Sequence, residues 1–125
     1  VSNKSKKLFL LEDSESRINW FRNRCKAAGH ILVLADNVKD ALHILRVEKF
    51  DMIFLDHDLD DRVYVDSNEE NTGYQVAKEL HNTINRDTEV VIHSMNSIGS
   101  KNMYNEIISN GNKNVNQLIF GTFSI

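Results

Sequence analysis

The chain contains no proline, one cysteine and five glycines in 125 residues. The lone Cys25 excludes an internal disulfide and a thiolate metal cluster, and its inward-facing position on a helical pattern reads as packing. No apolar run approaches the ~20 residues that span a bilayer. The start, Val1-Ser2-Asn3-Lys4-Ser5-Lys6-Lys7, lacks the apolar centre of a signal peptide. Residues 1–6 are therefore expected to form a flexible tail on a cytoplasmic protein. A basic excess is missing as well: 15 Lys and Arg against 18 Asp and Glu give a formal net charge of -3, with the cations scattered. That excludes a broad electrostatic surface for nucleic acid. A small anionic ligand is still compatible, because a metal or local amides can outweigh net charge. The absence of proline carries no functional reading.

What is present is ordinary for a globular chain: 26% charged and 41% hydrophobic residues, enough for one domain with a real core. Strand-like and helix-like segments alternate. Residues 7–12 read as a strand; Asp13 or Ser14 then caps a helix with Ile18, Phe21, Cys25 and Ala28 inward, stopped by Gly29. Residues 30–35 form a second strand. Asn37 with Asp40 caps a second helix with Val38, Leu42 and Leu45 inward. A third strand ends near Asp56, and Thr72 caps a third helix through about Ile84, with Tyr74, Ala77 and Leu80 inward. Strand four runs over residues 89–93, a helix from near Ser100 to near Gly111 follows, and residues 116–120 make the last strand. Such alternation implies an α/β, doubly wound parallel sheet of five strands.

The most informative stretch is Phe50-Asp51-Met52-Ile53-Phe54-Leu55-Asp56-His57-Asp58. A strand this apolar is buried on both faces, so its final polar groups emerge at the carboxyl edge, where open sheets of this kind place their sites. Two other strand ends do the same: residues 8–11 run into Glu12-Asp13, and residues 90–92 into His93-Ser94. Glu12, Asp13 and Asp56 are hard oxygen ligands suited to Mg²⁺. His57 and His93 suit general acid and base work, or a softer metal such as Mn²⁺ or another transition ion. Alternation sends Asp56 and Asp58 to one side and His57 to the other, unless the strand has already ended. His30, His43 and His81 have no comparable setting. Residues 59–71 are long for a connection between a strand and a helix, and Arg62-Val63-Tyr64-Val65 alternates as a small flap strand or hairpin would.

Some motif look-alikes fail. Asp56-x-Asp58-x-Asp60 starts like a calcium loop, but Asp61 stands where glycine is needed and Ser67 where the bidentate acid belongs. Asp56-His57-Asp58 with Ser94 has the chemistry of a dehalogenase-type phosphatase, without that family's later lysine and acidic pair. The better match covers nearly the whole chain. Glu12-Asp13, Asp56 and Ser94 resemble the metal-binding pair, phospho-acceptor and hydroxyl switch of the receiver superfamily, and Thr72-Gly73-Tyr74 resembles the segment that opens its next helix. No lysine stands in Leu118-Ile119-Phe120-Gly121-Thr122, where receivers end strand five with one. Leu55-Asp56-His57-Asp58-Leu59, the acidic flap and Ile92-His93-Ser94-Met95-Asn96 resemble the divergent branch proposed to process cyclic phosphates.

The resemblance implies a flavodoxin-like sheet in the order 2-1-3-4-5, a missing fifth helix and one receiver-like domain over residues 1–125. It also implies a divalent ion, Mg²⁺ ahead of Mn²⁺ or another transition metal, on Glu12, Asp13 and Asp56. Either Asp56 or a metal-activated water attacks phosphorus, Asp58 or His57 takes the proton, and His93 protonates the leaving alkoxide. Ser94, Asn96, Arg62, Tyr64 and Lys101 are the expected substrate contacts, with amides near Gly99 and Ser100 binding phosphate oxygens. The alternative use is a non-enzymatic receiver module, phosphorylated at Asp56 or binding a nucleotide, a protein partner or a second copy.

Overall fold

In the computed structural model, which describes residues 5–59, 65–123 and 125, strands β1 (Lys7–Leu11), β2 (Ile31–Ala35), β3 (Met52–Leu55), β4 (Glu89–Ile92) and β5 (Val115–Gln117) form one sheet. Every pairing is parallel and the order is β2-β1-β3-β4-β5. The helices are α1 (Glu15–Ala28), α2 (Val38–Val47), α3 (Gly73–Glu79) and α4 (Ser97–Ser109). The parallel sheet is the one expected from the alternation, and its order is the flavodoxin-like one that the resemblance implies. Among the described residues no helix is long and apolar enough to cross a membrane.

Strand alternation divides the core in two. Leu8, Leu10, Phe54 and Val91 pack with Ile18, Phe21 and Cys25 of α1. Phe9, Leu11, Ile53, Leu55, Val90 and Ile92 pack with Ala41 and Leu45 of α2, Val76 and Ala77 of α3, and Met103 and Ile107 of α4. Phe9, Phe21 and Phe54 are fully buried, each contributing roughly 1.5–3 kcal/mol by leaving water. Among the described residues no helix follows β5. Phe120, Phe123 and Ile125 pack instead on the α1 side, where the Phe123 ring lies 5.6 Å from Phe54 and 5.4 Å from Trp20.

Several boundaries differ from expectation for local reasons. Helix α4 begins at Ser97, because the Asn96 side chain accepts from the Gly99 N–H and starts the helix one turn early. Helix α3 gives way to a short 3₁₀ turn, Leu80–Asn82, and Ile84 is exposed. Strand β5 is only Val115–Gln117. Thr72 precedes α3 without capping it; its hydroxyl donates to the Ser67 and Glu69 carbonyls. Ser5 and Lys6, expected in a loose tail, bond to the Gly29 carbonyl and the His30 ring. Asn85 is a fully buried residue without a sequence signal. Its amide donates to the Leu45 and Glu48 carbonyls at 2.8 and 2.7 Å while its Oδ1 accepts from Phe50 N–H at 2.9 Å. It thereby ties the end of α2 to the entry of β3, the strand that delivers Asp56.

Candidate functional site

Sheet register alone assembles the site. Leu11 lies opposite Leu55, and Leu55 opposite Ile92, so the next residues, Glu12, Asp56 and His93, emerge in one row at the carboxyl edge. They continue the alternation of Leu10, Phe54 and Val91, which places them on the α1 side. All three are buried, and each offers a ligand atom within 4.8 Å of the others. His93 Nε2 is 3.0 Å from Glu12 Oε1, and the Phe21 ring of α1 backs the imidazole at 5.3 Å.

Arg17, in the first turn of α1, reaches back over this row. Its Nε donates to Glu12 Oε1 at 2.8 Å and its Nη2 to Glu12 Oε2 at 3.2 Å, with Nη2 also 3.5 Å from Asp56 Oδ2. Burial pushes the Glu12 carboxyl up, but hydrogen bonds from His93 and Arg17 outweigh it and hold the group at about 2. Burial, then the Glu12 charge, raises Asp56 to about 8. Two buried carboxyls this close cannot both ionise cheaply, so the pair carries one proton near neutral pH, on Asp56. Burial keeps His93 neutral by lowering its pKa, which leaves Nε2–H to donate to the Glu12 anion. Asp56 Oδ2 and His93 Nδ1 are buried without a hydrogen-bond partner. Two repelling carboxylates, an imidazole and an orphaned carboxylate oxygen are a donor set that a divalent cation fits. The oxygens suit Mg²⁺ or Mn²⁺, and the nitrogen favours the softer ion.

His57 stands outside that group. It follows Asp56 with the opposite parity and lies fully buried beneath the first turn of α4. Its Nδ1 is 2.7 Å from Asp58 Oδ1 and its Nε2 is 2.8 Å from Ser67 Oγ. The carboxylate partner puts the proton on Nδ1, so Nε2 accepts from Ser67, whose oxygen also accepts from Asn102 at 2.9 Å. Asp58 joins His57 rather than Asp56 because the strand ends at Leu55. Its Oδ1 further accepts from Val65 N–H at 3.2 Å and from Asn96 Nδ2 at 3.1 Å, while Asn96 also donates to the Val65 carbonyl at 3.0 Å. The network fastens the returning limb of the 59–71 connection at Val65 and Ser67.

The other expected residues fall in varied settings. Asp13 is half-buried beside Glu12 and is not one of the three grouped ligands. Ser94 is half-buried; its Oγ accepts from Asn96 N–H at 3.1 Å. Asn96 is buried, committed to capping α4 and holding Asp58 and Val65. Lys101 is exposed on α4. Arg62 and Tyr64, with the expected flap strand, lie outside the described residues; Val65 itself is buried and not in a strand. Arg17 went unread. Its signal was a cation in the first turn of the helix that directly follows the acidic pair.

Close approach explains two glycines. A Cβ at Gly73 would meet the Asp56 carbonyl oxygen at 1.9 Å, and one at Gly99 would meet the His57 ring at 2.5 Å. Gly73→Ala is expected to lower stability by about 3 kcal/mol, since backbone rather than a flexible side chain would have to move. Equilibrium denaturation checks this, and an unchanged midpoint would show that α3 does not press on the Asp56 backbone.

Residues 8–109 match the family described as "Cyclic-phosphate processing Receiver domain". No curated protein sequence matches the chain. Among solved structures, the receiver domain of a sensor histidine kinase from Pseudomonas aeruginosa, with a magnesium ion coordinated in its active site cleft, superposes with a TM-score of 0.69 at 16% identity, covering 97% of this chain and 88% of that one. A response regulator from Burkholderia pseudomallei, with a phosphorylated aspartic acid, calcium and citrate, gives 0.66 at 18% identity over 90% and 59%. A CheY-like receiver domain from Methanospirillum hungatei gives 0.67 at 12% identity over 91% and 82%.

Proposed function

The chain belongs to the cyclic-phosphate processing receiver domain family, and from that premise we propose that it opens a small cyclic phosphate or nucleotide by metal-assisted hydrolysis at Glu12, Asp56 and His93. The observation that carries this reading is the buried convergence of the three side chains within 4.8 Å. A divalent cation held by these residues would supply Lewis-acid polarisation of a phosphoryl oxygen. Arg17, 26% exposed at its side chain and forked toward both carboxylates, turns to the phosphate oxygens as a bidentate donor. Water bonds to phosphorus, one ring P–O bond breaks, and the proton lost by the water ends on the released alkoxide. Asp56, which a bound cation would hold as the carboxylate, takes that proton on Oδ2 and returns it. Before a cation enters, His93 keeps Glu12 anionic through its Nε2–H; as a ligand it would give that nitrogen to the ion and carry its proton on Nδ1. His57, Asp58 and Asn96 act one step away, positioning the end of β3 and the limb at Val65.

The test is direct. Purified protein with Mn²⁺ or Mg²⁺ is assayed on a panel of cyclic phosphates, and His93→Ala is expected to lower turnover by about 100-fold or more, beyond the cost of losing an outer partner of a metal ligand. Absence of both turnover and divalent-cation binding across the panel would defeat the reading. The phosphorylated aspartate of the Burkholderia protein supports a second one, acceptance of a phosphoryl group at Asp56. It wins if acetyl phosphate modifies Asp56 stoichiometrically while no cyclic phosphate is opened.

A further inference from the structure

We propose that the cavity beside His93, between the N-terminus of α4 and the end of β5, is the subsite for the base of a nucleoside cyclic phosphate. The proposal rests on the cyclic-phosphate reading and narrows it from cyclic phosphates in general to those carrying a planar heteroaromatic group. The cavity measures about 540 Å³, within the range of small-molecule sites. A bare five-membered cyclic phosphate would leave most of it to water.

Three features argue for a base. The first is continuity, because His93 belongs both to the cavity wall and to the Glu12–Asp56 row. A phosphate seated on the row therefore has its substituent at the cavity mouth. The imidazole is buried, and its Nδ1 has no hydrogen-bond partner; with Nε2 given to the cation, Nδ1–H is a donor at the junction. The second is the lining. Met95, Leu118, Ile119 and Phe120 supply an apolar wall, with Met95 72% and Ile119 77% exposed. Side chains so apolar and so wet are covered favourably by a flat ring, which costs little conformational entropy. The third is a polar edge. Ser100 Oγ donates to Gln117 Oε1 at 3.0 Å, which fixes the amide and leaves Nε2 as its donor toward a ring nitrogen or carbonyl.

Stacking and burial of a base raise affinity by about 5- to 150-fold. Calorimetry with Mn²⁺ present is expected to find a nucleoside 2′,3′-cyclic phosphate binding at least ten times more tightly than ethylene cyclic phosphate. Ser97→Trp, at an exposed cavity-lining position, is expected to erase most of that preference, and Gln117→Leu to reduce it. The ε-methyl resonance of Met95 is expected to shift on titration with the nucleoside compound and not with the base-free one. Equal affinities for the two compounds, or a preference untouched by Ser97→Trp, would overturn the subsite and leave the cyclic-phosphate reading standing. Failure of both compounds to bind would overturn that reading, and the subsite with it.

Discussion

In EDTA at pH 8 the Asp56→Asn protein is expected to melt about 5 °C or more above the wild type, and to have lost both cation binding and ring opening. The cause lies in the row of Glu12 and Asp56. Burial and the Glu12 charge raise Asp56 to about 8 from an ordinary 3.8. A carboxyl raised on folding lends stability that is fully present below its unfolded value and lost as pH rises through the folded one. The cation-free wild type therefore weakens between about pH 4 and pH 8, by an amount on the order of 5 kcal/mol if the whole shift is expressed. Glu12 acts oppositely. Held at about 2, it contributes above its ordinary range and loses that contribution only as pH falls toward 2, so it does not offset the loss on the alkaline side. Asparagine mimics the neutral carboxyl at every pH and can donate to Glu12, so the variant's stability is flat where the wild type's slopes. Divalent cation restores the wild type by binding the folded state and leaves the variant unmoved. Melting curves at pH 5 and 8, with EDTA and with Mn²⁺, check all four arms. A variant less stable than the wild type at pH 8, together with a wild type indifferent to Mn²⁺, would mean the carboxyls are not a cation site.

The carboxyl-edge row was legible because its signal is one-dimensional: an apolar run buried on both faces must release its polar residues at the tip, and parallel register sets neighbouring tips side by side. Glu12, Asp56 and His93 came from that rule alone. The partition of His57 from Asp56 depended on where β3 stops and on the absence of a side chain at Gly99, which lets α4 settle on the imidazole at a separation no Cβ would allow. Asn96 offered two uses in sequence, a turn or a phosphate contact. The structure commits it to starting α4 and tying down Val65, a role announced only by the small residue at Gly99. Asn85 left no sequence signal, and Arg17 only its place in the first turn after the acidic pair. Each acts on groups brought near by tertiary packing, and a polar residue near a helix end carries no mark of which carbonyl or carboxylate it will meet. The aromatic cover from Phe120 and Phe123 has the same character, since Phe120 reads as the end of a strand and Phe123, beyond Gly121, shows no period.

Arg17→Ala is expected to move two affinities in opposite directions. The guanidinium holds the oxygens that a divalent cation would need: Glu12 Oε1 and Oε2, at 2.8 and 3.2 Å from Arg17, and Asp56 Oδ2 at 3.5 Å. A cation entering the row must first displace these contacts, so removing the arginine removes a tethered competitor. Divalent affinity should rise about tenfold, which is about 1.4 kcal/mol. Without cation, however, the variant leaves the buried Glu12 anion with His93 and the Asp13 and Ser14 N–H groups as its donors. Breaking a buried pair from one side costs about 3–5 kcal/mol, and less here because Arg17 is partly exposed to solvent. The melting temperature in EDTA should therefore fall, and saturating Mn²⁺ should recover most of it by supplying the missing positive charge. Phosphate ligands respond the other way. Displaced from Glu12, the guanidinium of the wild type is free to fork onto phosphate oxygens, so the variant should bind a cyclic phosphate about tenfold more weakly at saturating Mn²⁺. Arg17→Lys separates charge from geometry, keeping the positive charge and part of the stability while losing the bidentate contact. Calorimetric titrations of Mn²⁺ and of the cyclic phosphate on the same preparations read both affinities. If the two move together, Arg17 is a structural counter-ion to Glu12, fixed in place whether or not a cation is bound.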